Sequence, residues 1–347
     1  HRCWEWRLVN RDAHLQEIWC SCIHQSFYLC LSEHWTKKSN PLNPIVPPEP
    51  PTPGEDEDKD AVDASKYDTL AEAITAVPAG GTLKIPAGAA PIQEEMTVDK
   101  DMKISGNGVA IEKLLTVNDA EVVLNNVVLS APGTSATDKT PVLKVSGTKP
   151  FTMKNSTVNG SARTAVNIMT SGEVTIEDNT FDAGDKNIYN MVEFSISNAR
   201  DITKAVIKNN TFKGTLKNNG ICFYNLAEGA QIDIVGNDFK DIDVNNNPVR
   251  LSNPKNVSAT FNIKDNTYNY TSETPSADGY TGFMLLQDYS KDAVQDFSKF
   301  NITFDNLKRG TKHLMEKGSG IDNVYYVYDD QKGILTDGSN DPTVSFK

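Results

Sequence analysis

An eight-residue phrase is written several times over in this chain, and its spacing limits what the chain can become. Val174-Thr175-Ile176-Glu177-Asp178-Asn179-Thr180-Phe181 returns as Ala205–Phe212, as Ile232–Phe239 and as Phe261–Tyr268, and a weaker copy, Phe151–Val158, precedes them. The shared form is apolar-x-apolar-x-(Asp/Asn/Gly)-Asn-x-aromatic. Its asparagines, Asn179, Asn210, Asn237 and Asn266, are spaced by 210−179 = 31, 237−210 = 27 and 266−237 = 29 residues. Such a period marks a stacked repeat. Hairpin turns in an antiparallel sandwich would recur at roughly 8–12 residues, whereas coils of nearly thirty have room for three strands.

The unit has a physical logic. Val174, Ile176 and Phe181 alternate across a two-residue polar corner, which turns apolar side chains inward from two short strands. Asparagine tolerates the left-handed backbone a sharp corner needs, and its amide can bond a neighbouring backbone group. One coil per repeat places the four asparagines above one another as a ladder. A second set of strands is expected between the copies, at Thr164–Met169, Met191–Ser197, Gly220–Leu226, Val249–Ser252 and Gly282–Gln287. Upstream, Thr69-x-x-Glu72 can form a capping box, and Leu70, Ile74 and Val77 line one helical face until Pro78 and Gly80-Gly81 end it. Such a helix would cover the first coil, whose edge otherwise invites strand addition.

These repeats resemble the right-handed parallel β-helix of the pectate lyase superfamily, where an asparagine ladder fills the short turn between the second and third strands of each coil. The stretch Tyr67–Gly88 resembles the capping helix and first strand that open many members. The implied fold is all-β: a right-handed, single-stranded parallel β-helix, a solenoid with an N-terminal capping helix, over residues 64–347 with a C-terminal cap. Early coils carry no clear ladder beyond Asn125-Asn126. After Asn306 the period fails, and Val324–Tyr328 and Thr343–Phe346 are expected as terminal strands.

The first 63 residues read differently. All four tryptophans, four of five histidines and four of five cysteines fall within the first 35 positions. Residues 1–36 are therefore taken as a segment foreign to the remainder, read from another frame or added. A zinc site from Cys20, Cys22, His24, Cys30 and His34 lacks knuckle spacing. Residues 37–63 run through Pro41, Pro44, Pro47, Pro48, Pro50, Pro51 and Pro53 into the acidic Glu55–Asp60, which makes a semi-rigid solvated tether. The tether resembles the stalk behind the lipidated cysteine of Bacteroidetes surface lipoproteins. No cysteine stands just before Thr36, and Cys30 is the nearest. An extracellular or outer-surface location follows from that resemblance, with any membrane tether through a lipid anchor only.

Charge narrows the partners. With 34 Lys+Arg against 46 Asp+Glu the formal charge is −12, which disfavours nucleic acid and anionic lipid through like-charge repulsion. In the family the chain resembles, substrate lies across the outer face of the strand after the long loop. That likeness implies Arg163, Asn190, Glu193, Lys217, Tyr224 and Asn246 as substrate-binding residues. A lyase acting on a uronic-acid glycan by β-elimination needs a base beside the carboxylate and a cation to acidify the proton. Arg250 or Lys186 would be the base, and Asp185 with Asp243 would hold Ca²⁺ through oxygen ligands. Arg250 alternates with inward Val249 and Leu251, so it is expected to face solvent. The hydrolases of this fold that act on polygalacturonate carry Asn-Thr-Asp and His-Gly motifs. Neither occurs here, since His313 is followed by Leu314, and the Asp329-Asp330 pair lies beyond the repeats. Cys222, inside Ile221–Tyr224, reads as buried and inert. The expectation is a polysaccharide-binding β-helix without turnover. The alternatives are the lyase and a structural adhesin or spacer.

Overall fold

A computed structural model describes residues 60–130, 140–160, 164–184, 188–194, 201–214, 216–242, 247–270, 283–287, 296–309, 324–327, 334–335 and 342–347. All belong to one compact unit, Asp58–Lys347. Residues 1–36, the tether up to 59, His313 and the Asp329-Asp330 pair lie outside the described residues.

The chain winds as a right-handed parallel β-helix. Among the described residues three sheets of 11, 8 and 10 strands run along it, and strands that pair in parallel within a sheet are separated by a whole coil. One coil passes from Thr164–Thr170 in the third sheet to Val174–Glu177 in the first, turns a corner to Thr180–Asp182 in the second, and returns to the third at Ile188–Phe194. The next coil repeats this with Ile202–Lys208, Thr211–Lys213 and Leu216–Phe223. Register keeps like on like: Val174 pairs with Ala205, Ile176 with Ile207 and Phe181 with Phe212. The first sheet begins at Val62–Asp63, two residues ahead of the expected boundary at 64, paired with Leu83 and Lys84.

The same alternation builds the core. In strand after strand the apolar residues of the repeat are buried and their neighbours half-exposed. Because coils superpose, aromatic rings stack face to face. Phe181, Phe212 and Phe239 form a column with centroids 4.7 Å apart at each step, and Phe194 lies 4.6 Å from Phe223. Offset stacking of this kind adds about 0.5–1.5 kcal/mol per pair beyond area burial.

The ends are closed by different devices. Helix Leu70–Ala76 carries the expected capping box, with Thr69 and Glu72 bonding each other's backbone N–H. Its N-terminal Leu70 N–H donates to Glu94 Oε1, and Lys100 Nζ donates to the Thr75 carbonyl near its other end. Leu70, Ala73 and Ile74 join the core, so the helix lies over the first coil. At the far end Thr343–Phe346 extends the first sheet in parallel, whereas Val324–Val327 pairs antiparallel with Met284–Gln287. Parallel winding therefore stops in the third sheet before it stops in the first.

The repeated corner differs from expectation in one respect. The residue in the left-handed region is the one before each ladder asparagine: Asp178 (φ 57°), Asn209 (54°), Gly236 (65°) and Asp265 (53°). At Gly236 a Cβ would also meet Asn209 Oδ1 at 2.6 Å, which explains glycine there. Asn126 takes the same conformation in an earlier coil, φ 53°. The ladder asparagines themselves turn inward and are buried. Each Oδ1 accepts from a backbone N–H of the coil before it: Asn179 from Ser156 at 2.9 Å, Asn210 from Asn179 at 3.0 Å, Asn237 from Asn210 at 2.9 Å and Asn266 from Asn237 at 2.9 Å. Ser156 ends the column, its Oγ accepting from the Val127 N–H.

Candidate functional site

The third sheet carries the residues expected to face substrate. Within it, Val166, Val192, Ile221 and Val249 pair in register, as do Ile168, Phe194, Phe223 and Leu251, and both rows lie in the core. The row between them, Asn167, Glu193, Cys222, Arg250 and Leu285, must project outward by strand alternation. Neighbouring rungs are about 4.8 Å apart, so Glu193 and Arg250 straddle Cys222 across about 10 Å of sheet. Tyr224 and Ser252 stand next to Cys222 and Arg250 along their strands, held by Tyr224 N–H to Phe194 O and Ser252 N–H to Phe223 O.

Alternation was read correctly for Arg250, but solvent exposure was not. Arg250 is 1% exposed, Cys222 0%, and Glu193 and Ser252 3% each. The outward row of this sheet is buried from Glu193 to Leu285, although Asn167 one coil earlier is half-exposed. Outward direction and exposure come apart wherever a sheet face is covered, and strand pattern reports only direction. The Arg250 guanidinium carbon sits 5.1 Å from the Tyr224 ring centroid, a cation–π contact that suits a desolvated arginine.

The site is chemically quiet. Burial pushes the Cys222 thiol up to about 11, with Glu193 adding to the rise and Arg250 and a Tyr224 hydrogen bond opposing it. At neutral pH the thiol is protonated, which makes it a poor nucleophile. Asn167 Oδ1 and Ser252 Oγ are buried without a hydrogen-bond partner. Among the described residues no cluster of three or more His, Cys, Asp or Glu side chains could hold a metal ion.

Of the residues singled out from sequence, four come together here: Asn190, Glu193, Tyr224 and Arg250. Asn190 is buried within strand Ile188–Phe194, and its amide donates to Glu193 Oε1 at 2.6 Å. Lys217 belongs to strand Leu216–Phe223, and its side chain lies outside the described residues, as do Arg163, Asp185, Lys186, Asp243 and Asn246. The Ca²⁺ pair and the second candidate base are therefore not placed.

A feature that the sequence reading missed is a second asparagine column on the entry side of the third sheet. Asn190 Oδ1 accepts from the Asn219 N–H at 3.1 Å, and Asn219 Nδ2 donates to the Asn247 carbonyl at 2.9 Å, all three residues being buried. The signal was present as Asn-x-apolar-x-apolar at 190, 219 and 247, with spacings of 219−190 = 29 and 247−219 = 28.

The other two sheets keep open faces. Thr152, Thr175, Val206, Asp233, Asn262 and Thr303 form a half-exposed outward row on the first sheet, and Thr157, Thr180, Thr211, Asp238 and Thr267 form one on the second. In comparisons with known proteins, no family model, curated protein or solved structure matches this chain significantly.

Proposed function

We propose that this protein binds polysaccharide without cleaving it, as a solenoid held at the outer cell surface or released from it. The observation that carries this reading is the burial of Arg250 beneath a closed face beside Tyr224. A base for β-elimination must reach the substrate proton within hydrogen-bond distance, and a side chain 1% exposed has no such reach. Open rows made mostly of threonine hydroxyls, with the Asn262 amide among them, at strand spacing suit sugar hydroxyls instead. The acidic charge of −12 and the proline-rich, acidic stretch at 37–63 support an extracellular setting.

The test uses the full chain in affinity electrophoresis against a panel of soluble polysaccharides, with and without Ca²⁺. Ultraviolet absorbance is followed in parallel for unsaturated ends. Retardation by at least one glycan with no new absorbance is the expected result. Unsaturated products from a uronate polymer would establish the lyase instead, and retardation by none would leave the structural adhesin.

A further inference from the structure

The open face of the first sheet carries a row of short side chains between two flanks of longer ones, here called a trough. Its floor is the row Thr152, Thr175, Val206, Asp233, Asn262 and Thr303, six short side chains in continuous register. At about 4.8 Å per rung the five steps between them span about 24 Å. Longer side chains stand two residues to either side, among them Glu173 and Lys204 on one flank and Glu177, Lys208, Lys264 and Asp305 on the other.

These flanking charges neutralise one another across rungs. Lys204 Nζ lies 2.7 Å from Glu173, Lys208 3.3 Å from Glu177 and Lys264 3.5 Å from Asp305. Surface pairs of this kind add little stability, yet each pair cancels its own charge, and the further cation of the second flank, Lys154, is matched in number by Asp233 on the floor. The one carboxylate on the floor, Asp233, is an acceptor for hydroxyl groups and repels an anionic polymer. The floor otherwise offers threonine hydroxyls and an asparagine amide, each able to donate and accept. A rung repeats at a distance close to one sugar ring in an extended chain.

We propose that this trough binds a linear, uncharged glycan lengthwise. The inference rests on the glycan-binding reading above and assigns it a face and a polymer class. Binding runs along the coil axis, uses hydrogen bonds from successive rungs, and is insensitive to salt because no charge is exchanged.

The experiment compares full-length wild type with two double variants by isothermal titration against neutral linear glucan, xylan and mannan oligosaccharides, and against polygalacturonate. Thr175→Arg with Asn262→Arg raises bulk on the trough floor. Thr180→Arg with Thr211→Arg does the same on the second sheet. Circular dichroism and thermal unfolding confirm that each variant is folded. Wild type is expected to bind a neutral glycan with Kd changing less than about twofold between low and high salt, because screening acts on charges. The trough variant should weaken binding at least about tenfold, and the second-sheet variant less than about twofold. Neutral-glycan binding that only the second-sheet variant abolishes would overturn the face assignment. Salt-sensitive binding of polygalacturonate alone would overturn the polymer class, and wild type that binds no glycan would remove the underlying reading as well.

Discussion

Asn210 Oδ1 accepts two hydrogen bonds from Asn179, one from its backbone N–H and one from its amide, each at 3.0 Å. The Asn210 amide in turn donates to the Ile176 carbonyl at 2.8 Å and to Asn237 Oδ1 at 2.9 Å. One side chain therefore satisfies buried backbone groups on either side of a corner. Asn210→Ala removes all four contacts and strands the Asn179 N–H. A loss of about 2–4 kcal/mol is expected in urea unfolding. A loss below about 0.5 kcal/mol would mean that the ladder contributes nothing beyond its neighbours' packing.

The residue just before the ladder position answers to a different requirement. Asn209 is exposed, with φ at 54°, and its amide bonds Asp178 Oδ1 at 3.2 Å on the outside of the corner. Backbone conformation dominates there, so Asn209→Gly should change stability by less than about 0.5 kcal/mol. Asn209→Val puts a β-branched side chain in the left-handed region and should cost about 1–3 kcal/mol. The ordering Gly above Val, measured by thermal unfolding, separates a backbone requirement from a side-chain one.

Both asparagine positions of the corner were visible in the sequence, but their roles were assigned to one residue. The pair Asn209-Asn210 looks uniform in one dimension. Only Asp178, Gly236 and Asp265 at the first position, against asparagine at the second in all four full copies, hint that the first supplies backbone freedom and the second supplies the amide. The winding, the sheets and the capping helix were legible because they follow from period, alternation and a capping box, all local in sequence. Closure of the third sheet's outer face was not. Glu193, Cys222 and Arg250 alternate with apolar neighbours as an exposed row would, and nothing local distinguishes a covered face from an open one. Cys222, a residue seldom left in solvent, was the one clue.

The thiol gives that closure a pH signature. In the unfolded chain Cys222 titrates near about 8.5, whereas burial pushes it up to about 11 in the folded protein. Folding favours the protonated form, so this contribution is fully present below the unfolded pKa. As pH rises from about 8.5 toward 11 the unfolded state loses its proton first, and stability falls by up to about 1.4 kcal/mol per pH unit. The difference in unfolding free energy between wild type and Cys222→Ala should drift in that sense across the window. Native protein at pH 8 should leave a thiol reagent unconsumed at Cys222 until denaturant is added. A difference that stays flat with pH, or prompt labelling of the native protein at this position, would place the thiol in contact with solvent.

Arg250 separates the structural role from the catalytic one. A side chain 1% exposed, against the Tyr224 ring and in register with Cys222, fills space in a closed row. Arg250→Ala empties that space and should cost about 2–4 kcal/mol, the range for large-to-small changes at buried positions. Arg250→Met keeps most of the aliphatic stem, since much of an arginine's packing comes from its methylenes, and should recover part of the loss. Neither change reaches the open faces of the other two sheets, so affinity for a bound glycan should stay within about twofold once each variant is shown to be folded. Denaturation midpoints and binding isotherms on the same preparations decide the matter. Stability unchanged with glycan affinity abolished would put Arg250 at a substrate contact, and the closed row would have to open for it.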